Sequence, residues 1–454
     1  MTTTTARPTT RRRLRRIVFG LGAAVLTATA VPTAVAAPAG QAPAAETSGI
    51  DGVALQQGLD AVHEAGMYGV YSAVRDGRDR WKGEAGVADV RTGRLVDADM
   101  RHRIGSVTKT FVAVAVLQQV EAGRIGLDDP VGDHLPELVP GERGRSITVR
   151  MLLNHTSGIA DYVMYAYPSL QQMSPQSLDD NRFRSFEEEE LVRMGLEAPP
   201  TGEPGEKWSY SNTNYILAGL LLEKATGTSA EDYITRNVIR KAGLRHTSFP
   251  RTPFVPGPHS KAYESLFGII DPPRDYSVYH PSSLDTAGAM VSTMDDLNRF
   301  YRLLLDGRLL GAEQLAEMRR TVPVTDVQGN VMGHYGLGIM AFDLPCGRYW
   351  GHGGTVFGAG TESLTSEDGR RQMSYGVNLM KYQKMTDDGR VEPHPIDFAL
   401  GGYLLQALCP TGEGGAAAAA KGPEKTDPAA VAEMLVNGPD QSAQVLRFGT
   451  PGNR

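Results

Sequence analysis

A chain of 454 residues, 41% hydrophobic and 22% charged, has the composition of a globular protein with a sizeable core, and its length suits two intimately packed domains. Its formal charge is −6, yet Arg7, Arg11, Arg12, Arg13, Arg15 and Arg16 all fall in an acid-free leader. Without these six the 46 basic residues drop to about 40 against 52 acidic ones, roughly −12 net, so no basic stripe is left for nucleic acid.

The arginines run into Ile17–Val31, short and apolar, and then Ala34-Val35-Ala36. Basic head, apolar middle and small residues at the end read as a secretory signal peptide over residues 1–36. A membrane anchor is the alternative, and the shortness of the run and Pro32 weigh against it, so no lasting membrane span is expected. Thr10-Arg11-Arg12 leaves the twin-arginine route open. Residues 37–49 read as a Pro/Ala spacer that stays flexible. An exported protein with two cysteines, Cys346 and Cys409, favours a disulfide, although spacing cannot prove proximity and two buried thiols are the other reading.

Val53, Leu55, Leu59 and Val62 have helical spacing and predict a surface helix over Val53–Gly66. Tyr68–Arg75, turning at Asp76-Gly77, and Trp81–Val90, turning at Thr92-Gly93, predict strands of an antiparallel sheet. Ser106–Glu121 is apolar nearly all round and predicts a buried helix closed by Gly123. Ser185-Phe186-Glu187-Glu188 has capping-box spacing and opens a helix closed by Pro199-Pro200, with Glu187–Glu190 as its solvated first turn. Tyr215–Thr226 and Asp295–Leu305 read as further helices. Strand patterns return at Tyr335–Phe342, Arg348–His352, Val356–Thr365 and Gln372–Leu379, the last two joined across Asp368-Gly369. Phe398–Ala407 reads as a closing helix, and residues 410–454 as a disordered tail.

The expected fold is therefore α+β: residues 50–409 form one antiparallel sheet from 50–100 and 330–409, flanked by helices, with an inserted all-helical lobe at about 110–320. A cleft at the junction is where a small-molecule site is expected.

Ser106 and Lys109 stand three residues apart at the head of the buried helix, so their side chains meet. A desolvated lysine acts as a base toward the hydroxyl, and the Ser106 N–H at a helix start points at a developing oxyanion. Alone, S-x-x-K occurs about once by chance in a chain of this composition, and an N-cap serine with a surface lysine is the bland reading. Tyr210 and Asn212 follow, two residues apart before another helix; one passes protons and the other orients a substrate amide. Their bland reading is a packed tyrosine and a helix cap. Third is Trp350-Gly351-His352-Gly353-Gly354-Thr355, read as a basic side chain and glycines on an edge strand where a substrate backbone pairs, with the Thr355 N–H as second oxyanion donor. A tight glycine turn with an exposed histidine is its alternative.

In this order and spacing, Ser106/Lys109, Tyr210/Asn212 and His352-Gly353-Gly354 resemble the serine penicillin-recognising family: class C β-lactamases, secreted D-alanyl-D-alanine carboxypeptidases and related esterases and aminopeptidases. Leu152–Gly158, Ala287–Met290 and Tyr335–Gly338 also look like the family. The resemblance implies a β-lactamase/transpeptidase-like fold and two-step acyl transfer. Ser106 is then the nucleophile, with Lys109, Tyr210 and His352 as catalytic partners. Asn212, Gly353, Gly354 and Thr355 bind substrate, and the N–H groups of Ser106 and Thr355 hold the oxyanion. It also implies a Cys346–Cys409 disulfide, no cofactor, no metal, and a monomer acting on a small acyl substrate (a peptidoglycan-type peptide, an ester or a β-lactam).

Carboxypeptidase activity with penicillin binding leads, an esterase or D-aminopeptidase follows, and a catalytically silent cell-wall binding module is the rival from another class. Three departures bear on substrate. Gly353 removes the middle hydroxyl that can bind a substrate carboxylate, although Thr355 remains. Histidine replaces the lysine of many third motifs, and Ile339-Met340-Ala341-Phe342 stands where close carboxypeptidase relatives carry an arginine for the terminal carboxylate.

Overall fold

The computed structural model describes Met1 and residues 49–325, 331–386 and 391–409; the expected leader, most of the spacer and the tail lie outside the described residues. Strands β1 (Gly69–Asp76), β2 (Asp79–Asp89) and β3 (Arg94–Leu95) come from the N-terminal end. Strands β4 (Val322–Thr325), β5 (Val331–Tyr335), β6 (Met340–Leu344), β7 (Gly347–Val356), β8 (Ala359–Ser366) and β9 (Arg371–Val377) come from the C-terminal end. They form one nine-stranded sheet in the order β3-β2-β1-β9-β8-β7-β6-β5-β4. The two ends of the chain meet at β1 and β9, where Val70 pairs with Val377 and Asp76 with Arg371 in an antiparallel ladder.

Side chains of β1 alternate between two cores. Val70 and Val74 pack with Leu55, Leu59 and Val62 of helix α1 (Gly52–Glu64), while Tyr71 and Ala73 join the other core. Helix α1 starts where Asp51 Oδ1 accepts from the N–H groups of Val53 and Ala54, at 3.1 and 3.0 Å, satisfying two orphan donors. The other core contains α2 (Thr108–Glu121), α3 (Glu188–Glu197), α4 (Asn212–Thr226) and α5 (Met294–Leu305). Helix α6 (Pro395–Leu408) packs beside α1, and Cys346 is bonded to Cys409 just beyond its end. That bridge spans 63 residues and contributes on the order of 4 kcal/mol by loop-closure entropy.

Three local expectations change. The buried helix begins later, because Gly105–Val107 forms a 3₁₀ turn before α2 takes over at Thr108. The capping box does not form: α3 starts after Glu187 with no side-chain cap, two residues past Ser185. Nor is the acidic turn fully solvated. Glu188 is half-buried and turned toward Asp285, and burial, followed by the charges of Asp285, Glu223 and Glu231, pushes its carboxyl up to about 9. The segment between the sheet halves is mostly helical and also carries paired two-residue strands, Tyr263–Glu264 and Arg274–Asp275.

A carboxyl whose folded pKa lies above its unfolded value holds its proton more tightly when folded, so stability declines as pH rises between the two values. Glu188→Gln removes this term. Its melting temperature should therefore match the parent near pH 4.5 and exceed it increasingly toward pH 9. A gap that shrinks with rising pH contradicts this placement of Glu188.

Candidate active site

Ser106 sits in the 3₁₀ turn, 8% exposed, and Lys109 on the first turn of α2 is wholly buried. Lys109 Nζ lies 3.1 Å from Ser106 Oγ, 2.8 Å from Asn212 Oδ1 and 2.7 Å from the Ala287 carbonyl. An amine has three N–H bonds when charged, or two and a lone pair when neutral, and three oxygens from three segments surround this one. Asn212 is the first residue of α4, not its cap; Ser211 takes that place. Asn212 Nδ2 in turn donates to Asp161 Oδ2 at 2.7 Å. Burial raises the Asp161 carboxyl, opposed by the Val163 N–H and the charge of Lys109.

Tyr210 places its ring centroid 4.8 Å from Lys109 Nζ, within cation–π range. The Tyr210 ring lies 4.3 Å from that of His155, which has Tyr335 at 4.9 Å and Tyr215 at 5.3 Å. His155 adopts φ 61°, uncommon outside glycine, and two of its bonds reach the next motif: its Nδ1 accepts from Ser211 N at 3.2 Å and its carbonyl from Ser209 N at 2.8 Å. Burial, then the charge of Lys109, lowers its pKa well below the ordinary histidine value, so the ring is neutral. His155 thereby fixes the segment that carries Tyr210 and Asn212.

His352 departs from expectation. It is fully buried, with Nδ1 donating to the Gly353 carbonyl at 2.5 Å and Nε2 accepting from the Tyr335 hydroxyl at 2.9 Å. Burial lowers its pKa to about 3, a neutral ring with neither nitrogen turned to the cavity. What changes is the expected basic side chain: the ring is neutral and braces β5 against β7. Strand β7 is also no edge of the sheet, since β6 and β8 flank it. Pairing with β6 ends at Gly351, however, so the stretch from His352 to Val356 is free of β6.

Gly354 of this motif serves the protein's own packing. A Cβ at Gly354 would lie 2.0 Å from the Ile104 carbonyl oxygen and 3.0 Å from Ser106 N, and one at Gly105 (φ 51°) would lie 2.8 Å from Thr355 N. The backbones bearing the two expected oxyanion donors are thus in contact. Thr355 lines the cavity with Ser106, Tyr210 and Asn212, and apolar side chains including Met164, Leu170, Leu266, Ile270 and Phe357 complete the wall. The space between these walls is about 840 Å³ with open solvent included. No group of three or more His, Cys, Asp or Glu residues suited to a metal occurs among the described residues. Also among them, no helix is long and apolar enough to cross a membrane.

Sequence reasoning missed Asp161, Glu264 and Lys381. Asp161 follows the Leu152–Gly158 stretch by three residues and carries no pattern of its own. Glu264 and Lys381 are 117 residues apart and meet only in the fold.

Gly354→Ala should therefore lower kcat by roughly 100-fold, because displaced oxyanion donors cost about that much. Gly402→Ala in α6, where nothing lies within 4 Å of the new Cβ, should leave activity intact and stabilise by about 0.5–1 kcal/mol. Steady-state kinetics and denaturant melts check both; full activity in Gly354→Ala would contradict the geometry.

Comparison with known proteins agrees with this arrangement. A family model described as Beta-lactamase matches residues 54–388. A D-stereospecific amidohydrolase from Streptomyces sp. superposes with a TM-score of 0.69 at 37% identity, covering 80% of this chain and 100% of that one. Esterase EstB of Burkholderia gladioli is 33% identical over 209 residues, 44% of this chain and 53% of that protein. Penicillin-binding protein 4* of Bacillus subtilis (strain 168) is 26% identical over 308 residues, 64% of each. The chain spans between about half and two thirds of the length of these two curated relatives. A match over residues 54–388, most of the chain, with a nine-stranded antiparallel sheet beneath it, makes the protein a member of the beta-lactamase family of serine hydrolases.

Proposed function

We propose that the protein hydrolyses esters or amides whose acyl group is bulky, apolar and D-configured, through an acyl-enzyme on Ser106. The apolar wall of the cavity that opens on Ser106 carries this reading. It favours an esterase or amidase over a D-alanyl-D-alanine carboxypeptidase. Ile339 and Met340, where an arginine would grip a terminal carboxylate, are buried in the core and do not line the cavity. The similarity to a D-stereospecific amidohydrolase and to an esterase supports the same choice.

In the first step Lys109 acts from its neutral form: two N–H bonds stay on Asn212 Oδ1 and the Ala287 carbonyl, and the position from which the charged form donates to Ser106 Oγ becomes the lone pair that receives the Oγ–H. Oγ passes its proton to Nζ and bonds to the carbonyl carbon. The oxyanion is held by the N–H groups of Ser106 and Thr355, each worth roughly 10²–10³ in rate. The bond to the leaving amine or alcohol then breaks, and that group takes the proton from Lys109, with Tyr210 alongside. Water repeats the sequence: it gives Lys109 a proton and bonds to the acyl carbon, and Ser106 Oγ leaves that carbon and takes the proton back from Lys109. Neutral His352 moves no proton; it holds β7 against β5.

Matched D and L forms of an N-acetylphenylalanine p-nitrophenyl ester and anilide, together with a D-Ala-D-Ala peptide, test this. The D ester and anilide should be the best substrates, and Ser106→Ala should reduce kcat by roughly 1000-fold or more. Preference for the D-Ala-D-Ala peptide, or turnover that survives Ser106→Ala, would overturn the proposal.

A further inference from the structure

Among the described residues that line the cavity, the charged ones are Glu264 and Lys381. They are brought together by a short parallel pairing in which Leu379 and Met380 lie against Tyr263 and Glu264. Two further bonds extend it, from Ser265 N to the Met380 carbonyl at 3.1 Å and from Phe267 N to the Lys381 carbonyl at 2.6 Å. Lys381 itself takes a left-handed backbone, φ 50°.

Glu264 is 1% exposed and its carboxylate is well satisfied. Oε1 accepts from Leu266 N at 2.9 Å, and Oε2 accepts from Gly358 N at 3.1 Å and from Lys381 Nζ at 3.0 Å. Gly358 and the neighbouring Phe357 belong to the turn between β7 and β8, so this carboxylate ties the cavity wall to the strand that carries Thr355. A buried ion pair costs desolvation free energy that apolar residues of the same volume would avoid. Here it stands on the wall of the cavity shared with Ser106, not in the core.

The two partners are not equivalent. Glu264 spends its acceptors on the protein, whereas Lys381 has three N–H bonds and gives one of them to Glu264. Its side chain is 13% exposed, on the cavity it lines.

We infer that Lys381 is a specificity-determining residue whose ammonium, held in place by Glu264, binds a carboxylate of the substrate set off from the scissile bond by an apolar segment. The inference rests on the reading of Ser106 as nucleophile, because it concerns the same cavity. The chemistry is the same whether the carboxylate belongs to the acyl part or to the leaving part. A substrate cation meets the opposite outcome, since like charges repel strongly in an apolar surround. Amino acid amides or esters with a free ammonium group are therefore disfavoured, and blocked or anionic acyl donors are favoured.

A binding arm tests this without turnover. Calorimetry on Ser106→Ala protein compares phenylhexanoate with neutral phenylhexanamide. The carboxylate should bind roughly ten-fold or more tightly, as a charge-assisted hydrogen bond implies. Lys381→Arg should keep that advantage. The double variant Lys381→Met/Glu264→Gln, which leaves no buried charge without its partner, should lose it. Equal binding of the two ligands, or an advantage that survives in the double variant, overturns the inference. Failure of the Ser106 reading would leave this arm untouched.

A turnover arm on the protein with Ser106 intact locates the charge. Mono-p-nitrophenyl esters of dicarboxylic acids carry it on the acyl side, and esters of hydroxyphenylacetic acid carry it on the leaving side. Relative to its neutral counterpart, kcat/KM for one series should fall roughly ten- to hundred-fold in the double variant. Equal falls for charged and neutral esters would mark a merely structural ion pair and refute the assignment.

Discussion

Burying Lys109 is the constraint around which the site is built. An amine taken out of water must find a hydrogen-bond partner for every N–H it keeps, or its burial costs several kcal/mol. The fold supplies three oxygens, from the Ser106 hydroxyl, the Asn212 amide and the Ala287 carbonyl. Each comes from a different segment, so satisfying one amine pins the 3₁₀ turn, the start of α4 and the short helix Asp285–Gly288 in mutual register. Preorganisation for catalysis and polar satisfaction are here one requirement.

The surroundings extend the same logic. His155 in its left-handed conformation holds Ser209–Ser211, and through it Tyr210 and Asn212, while the aromatic rings of Tyr210, Tyr215 and Tyr335 close around it. His352 braces Tyr335 from the other strand. Both histidines are stripped of charge by burial, so Lys109 meets no competing cation in its own core. The two glycines, Gly105 and Gly354, then let the nucleophile turn and β7 approach to contact distance. A single methyl at Gly354 would break that approach.

The sheet, the buried α2 and the β8–β9 hairpin were legible in the sequence because their apolar spacing or turn residues are local signals. Ser106, Lys109, Tyr210 and Asn212 were legible for a different reason: three weak patterns in one order. That His352 is a neutral ring on an inner strand was not legible, because burial is not written in a motif: β6 and β8 flank its strand and Tyr335 caps its ring. The capping box at Ser185 also failed, since α3 starts only after Glu187 and has no side-chain cap. Asp161 and the Glu264–Lys381 pair could not be found at all. Their meaning lies in contacts across 51 and 117 residues, and neither leaves a periodic trace.

The cavity joins the Ser106, Lys109 and Asn212 cluster to an apolar wall. In the proposed function the apolar lining selects the acyl group, and the Glu264–Lys381 pair selects a carboxylate on either the acyl or the leaving side of the substrate. Both depend on Ser106 being the atom that reacts. A fluorophosphonate tests that directly: it bonds phosphorus to a nucleophilic serine oxygen and releases fluoride. After trypsin, peptide mass spectrometry should place the adduct on Ile104–Lys109, and the adduct should vanish in Ser106→Ala. An adduct on any other peptide, or one that persists in Ser106→Ala, would contradict the account.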